Sequence, residues 1–152
     1  MVTLLLAMSL FAAQGQAAPS PGPGISEALA AERAAVISNL RYELSFSVPA
    51  SRQEPVQGRV TVRFALQAPH RVVLDFAQPR DRVRSVQVGG REGAPSFADG
   101  HILIAADALA AGDNEVTIAF VAGDAALNRN DEFLYTLFVP ARAQLTFPCF
   151  DQ

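Results

Sequence analysis

The sequence predicts a mainly β fold: an antiparallel sandwich, or saddle-like curved sheet, preceded by one short helix. Three observations predict it. Apolar and polar residues alternate with a period of two over several short runs. Turn signals recur about every ten residues, among them Gly89-Gly90 and Asp99-Gly100. A helical period occurs in one stretch, residues 25–39, ahead of all the strands.

In the helix, Ser26 offers a hydroxyl to the unpaired N–H groups of the first turn. Leu29, Arg33, Val36 and Leu40 follow at three- and four-residue steps, and Asn39 can end it. The period then changes. Leu40, Tyr42, Leu44, Phe46 and Val48 alternate with polar residues, as in a half-buried strand. After the breaker at residues 49–55, Val56, Val60, Val62, Phe64 and Leu66 share one face of a second strand. Gly58 interrupts that face and suggests a bulge. The two runs form an antiparallel pair with one wet side. Shorter strands are expected at residues 71–76, 83–88 and 101–105. A helical turn at 106–111, closed by Gly112, leads into a further strand at 115–121. Residues 127–131 read as a polar loop. A last strand is expected at residues 133–139 (FLYTLFV), which are apolar nearly throughout, so they should be buried on both faces or lie against another domain.

Composition excludes several functions. Twelve basic and fifteen acidic residues give a formal charge of −3, which argues against a nucleic-acid partner. With two His and one Cys, the chain lacks ligands for a self-contained zinc site and cannot form an internal disulfide. The absence of Trp counts against a sugar-stacking platform. His70 and His101 read as polar residues at loop edges. Asp75, Asp131 and Glu132 read as solvated charges too scattered for an acid/base pair. No residue is nominated as catalytic, cofactor-binding or metal-ligating.

The N-terminus reads as a processing signal. Residues 2–13 (VTLLLAMSLFAA) are apolar, uncharged and too short to span a bilayer, and Gly15 and Ala17 suit cleavage after residue 17. Residues 18–24 (APSPGPG) read as a linker. Three segments result: signal peptide 1–17, linker 18–24 and β-domain 25–152. The expected location is periplasmic or secreted, with no membrane contact after cleavage. Cys149 is then most simply a buried small hydrophobe.

The last residues, FPCFDQ at 147–152, read as an anchoring turn whose apolar side chains enter the core while Asp151 accepts from backbone N–H groups. This hexapeptide resembles the F-P-C-F-D-E-P signature of the aminopeptidase N family of zinc metallopeptidases. LRYELSFSVP, ALAAGDNEVTIAF and LNRNDEFLYTLFVPARAQLTFPCFDQ support the resemblance, which spans roughly residues 36–152. It implies the N-terminal β-domain of an enzyme that removes N-terminal residues from peptides. In that family zinc is held by H-E-x-x-H and a distant Glu, and a G-x-M-E-N loop binds the substrate amine. Neither motif has a match here. The resemblance therefore implies no zinc in this chain and zinc in the full-length enzyme. Its partners would be the catalytic domain of the same polypeptide and, in the whole enzyme alone, a peptide substrate.

The sequence departs from the family pattern at three places. The position of an amine-binding Gln or Glu, eight residues before Phe147, holds Val139. Gln144 stands where Arg is common, and Gln152 replaces Glu. The chain is thus expected to be an inactive fragment of an exported zinc aminopeptidase, incomplete at its C-terminus. The alternative is a stand-alone periplasmic binding module with an aminopeptidase-like β-domain.

Overall fold

The computed structural model describes residues 20–152. The expected signal peptide at 1–17 lies outside the described residues, as does the start of the linker. Helix α1 spans Glu27–Val36 and begins as the sequence suggests: Ser26 is extended, and its Oγ accepts from Leu29 N at 3.2 Å. It ends earlier than expected. Ile37 is already extended, and its N–H still donates to Arg33 O. Strand β1 runs from there, Ile37–Ser47. Asn39 therefore caps no helix. It takes a left-handed conformation (φ 52°) where the register of β1 slips between Ser38 and Arg41.

The larger sheet has five antiparallel strands in the order β1-β2-β8-β4-β5. Besides β1 it contains β2 (Gln57–Leu66), β8 (Gly112–Val121), β4 (Val83–Val88) and β5 (Arg91–Glu92). The smaller sheet orders β3 (Val72–Asp75), β7 (His101–Ile104) and β6 (Ser96–Ala98). Both tight hairpins follow from left-handed turn residues. Gly89-Gly90 joins β4 to β5 with φ of 56° and 75°, and Asp99-Gly100 joins β6 to β7 with 49° and 82°. Positive φ at both central residues matches the twist of the flanking strands.

The alternation in β2 and β8 sets the core. Val60, Val62 and Phe64 pack with Val116, Ile118 and Phe120 from one sheet and with Val72, Leu74, Ile102 and Ile104 from the other. Each such side chain contributes about 1.5–3 kcal/mol when fully buried. The opposite face of the large sheet is polar. It carries a Thr61–Thr117 hydroxyl pair at 3.0 Å and the ion pairs of Arg63 with Glu43 and Glu115.

Three expectations need correction. Gly58 marks a close approach, not a bulge: it sits opposite Phe46 on β1 and Phe120 on β8, and a Cβ there would lie 2.3 Å from the Phe120 ring. The bulges fall instead near Asn39 and between Val83 and Ser85. The polar loop contains strand β9, Leu127–Arg129, which pairs with β10, Leu134–Thr136. Of the two placements expected for the apolar run 133–139, burial by the described residues does not occur: Phe133, Tyr135, Leu137 and Val139 stand exposed, which leaves the placement against another domain. On β1, Ile37, Leu44 and Phe46 meet the core, while Leu40, Tyr42 and Val48 stay largely solvent-facing.

Candidate functional site

Two features stand out near the end of the chain: a buried charge cluster and the exposed ridge. The cluster centres on Asp75, the last residue of β3, which is fully buried. Leu29 and Arg33, four residues apart on α1, turn one helix face inward, and both are buried. Arg33 Nη1 donates to Asp75 Oδ2 at 2.8 Å, and Nη2 donates to Oδ1. His101, the first residue of β7, places Nδ1 2.9 Å from Oδ1. Asp151 N donates to Oδ2 at 2.9 Å. Four interactions occupy the carboxylate's roughly four acceptor positions, so Asp75 has no spare capacity for a substrate proton. Arg33 also donates to Val73 O at 2.9 Å and to Gln152 Oε1 at 3.1 Å.

The hexapeptide anchors as its composition suggests. Cys149 bridges Asp75 through two backbone hydrogen bonds, of 2.7 and 3.0 Å. Phe147 packs edge-on to Phe46 and Phe138, and Phe150 packs edge-on to Phe64 beneath the Arg33 guanidinium. Asp151 Oδ2 accepts from Gln144 N at 3.0 Å. Tyr42 Oη accepts from Phe150 N at 2.9 Å. Cys149 is a buried free thiol. Burial, reinforced by the Asp151 and Asp75 charges, raises its pKa well above the ordinary thiol range.

Asp75 and His101 therefore overturn the solvated, loop-edge readings. They are 0% and 2% exposed. The signals were an Asp within the apolar run RVVLDF and an Arg on the apolar stripe of the helix. Neither decided the matter, because their pairing spans 42 residues. His70 does lie at the surface, with Nε2 2.9 Å from Glu32 Oε1. The two His are thus engaged in different places.

The ridge is built by the β9–β10 hairpin. Asn130 Oδ1 accepts from Glu132 N and Phe133 N and closes its turn. Phe138 turns in against Phe147, whereas Phe133 and Val139 are 56% and 71% exposed. The Val139–Pro140 peptide is cis. A cleft of about 830 Å³ lies elsewhere, beside Arg41, Arg63 and Glu115 on the polar side of the large sheet.

No family model matches the chain, and no curated protein matches it in sequence. Solved structures do match in fold. Yeast LTA4 hydrolase aligns with a TM-score of 0.62 and 18% identity over 78% of this chain. An M1 zinc metallopeptidase from Deinococcus radiodurans aligns at 0.55 and 22% over 76%. The fold is that of the N-terminal domain of M1 aminopeptidases. A two-domain M1 zinc metallopeptidase mutant bound to L-arginine aligns at 0.58 and 21% identity over the same 76% share. This chain spans 21% of the yeast hydrolase chain and 29% of each of the other two.

The residues described here do not fit the zinc of those relatives. Among them, no three His, Cys, Asp or Glu side chains cluster as a metal site. Asp75 and His101 are committed to one another and to their neighbours, and the Cys149 thiol is held protonated by burial.

Proposed function

We propose that this chain is the N-terminal, non-catalytic β-domain of an exported zinc aminopeptidase. The exposed ridge at 133–139 supports this reading most directly. Five exposed apolar residues, Phe133, Leu134, Tyr135, Leu137 and Val139, beside the anchored hexapeptide suit a face that packs on another domain. The fold likeness makes the M1 catalytic domain the natural partner. In the whole enzyme the β-domain would flank the peptide-binding cleft, and zinc and the catalytic Glu would come from the partner domain. Val139 presents no acceptor at the position where the family resemblance implies an amine-binding side chain, so the amine anchor would come from elsewhere.

The test has two arms. The purified chain should not cleave an aminoacyl-anilide, with or without added zinc. Fused to or co-expressed with the zinc domain encoded by its own locus, it should restore that cleavage. Ser substitution at both Leu137 and Val139 should then weaken the restored activity without lowering the stability of the isolated chain. Zinc-dependent hydrolysis by the chain alone would refute the proposal. So would a locus that encodes no H-E-x-x-H domain, which would favour the stand-alone binding module.

A further inference from the structure

The His101 side chain ties the segment at residues 20–24 to the fold. Gly22 O and Gly24 O each lie 3.1 Å from His101 Nε2, and Asp75 Oδ1 lies 2.9 Å from Nδ1. All three facing atoms are acceptors. A neutral imidazole carries one N–H, so it would turn a bare lone pair toward either a carboxylate or two carbonyls. At 2% exposure, little water can relieve that opposition. The ring that satisfies this geometry donates from both nitrogens.

We propose that His101 is a proton-dependent clasp. As imidazolium it straps residues 20–24 against the start of β7. When Nε2 gives its proton to water, the strap is released. The Nδ1 proton stays, because it faces the Asp75 carboxylate. The charge facing the ring is Asp75 from β3 and, behind it, Arg33 from α1, while Asp151 and Cys149 of the hexapeptide meet Asp75 through their backbones. Arg80 and Asp99 border the small cavity that the ring also lines. Asp75 is shared by the ring and the helix, so titration of the carboxylate would loosen α1 together with the strap. Titration of the ring frees the strap alone. That difference identifies the switch.

The clasp can be followed in the full chain with nitroxides placed at exposed positions. Ser20→Cys reports the strap and Ala31→Cys reports α1; the buried Cys149 thiol is spared. A His70→Gln background leaves His101 as the one remaining imidazole, so nitrogen NMR reads its protonation directly. As the pH is raised, the ring should go from doubly to singly protonated. The mobile-to-immobile ratio at position 20 should rise in step by at least about tenfold, the factor set by losing hydrogen bonds from a charged donor. Position 31 should not change. In His101→Gln, mobility at position 20 should lose its pH dependence. If that variant does not fold, the wild-type ring and label measurements decide the matter. A ring that stays singly protonated throughout, with the strap immobile, overturns the proposal. So does release of positions 20 and 31 together, which would assign the switch to Asp75.

Discussion

Cys149 shows how one residue's chemistry is set by its surroundings. Its backbone completes a two-residue bridge to Asp75, while its thiol sits among apolar groups and near two carboxylates. Both influences oppose the thiolate. The folded protein should therefore resist iodoacetamide near pH 8.5, where an ordinary thiol is half ionised, and react at the normal rate once unfolded in urea. The linkage has a definite sign. The folded-state pKa is raised, so above about pH 8.5 the unfolded chain loses a proton that the folded chain keeps, and stability falls with rising pH. Cys149→Ala should flatten that fall in urea titrations between about pH 8 and 10.

Among the elements, β2 and β8 pack one register into a row of rings. Phe46, Gly58 and Phe120 lie side by side across three strands, and the two rings meet edge to face at 6.0 Å over the glycine. The missing side chain at Gly58 makes room for that contact. Gly58→Ala should destabilise the domain by about 1–3 kcal/mol, as overpacking does, measured by the shift in urea midpoint. Adding Phe120→Leu should make the pair less destabilising than the sum of the two single changes, because the inserted methyl then has space. Gly58 was visible in the sequence as an interruption of an apolar face. Which strand's side chain approaches it depends on register, and register is a property of paired strands. Strand β10 falls within the expected strand at 133–139, but its partner β9 reads as a loop for a related reason: three residues carry too few alternations to show a strand.

Across the whole molecule, Asp75 ties together segments far apart in the chain. Through it or its direct partners, the strap, α1, β3, β7 and the hexapeptide meet around a single carboxylate. Asp75→Asn would leave Arg33 and His101 buried opposite a neutral amide. It should cost about 3–5 kcal/mol, the usual result of breaking one side of a buried pair. The double variant Arg33→Met with Asp75→Asn should cost less than the two changes added, as judged by a double-mutant cycle in urea.

Local patterns determined much of this protein. Two-residue alternation placed the long strands, Ser26 placed the start of the helix, and the aromatic hexapeptide foretold its own anchoring. These features act within a few residues of chain, so their physics is written in neighbouring letters. Tertiary structure alone decided the roles of Arg33, Asp75 and His101, and left the apolar ridge at 133–139 uncovered by the described residues. A charge is buried or solvated according to what the fold brings against it. The partners that settled the matter here lie 26 and 42 residues away in sequence.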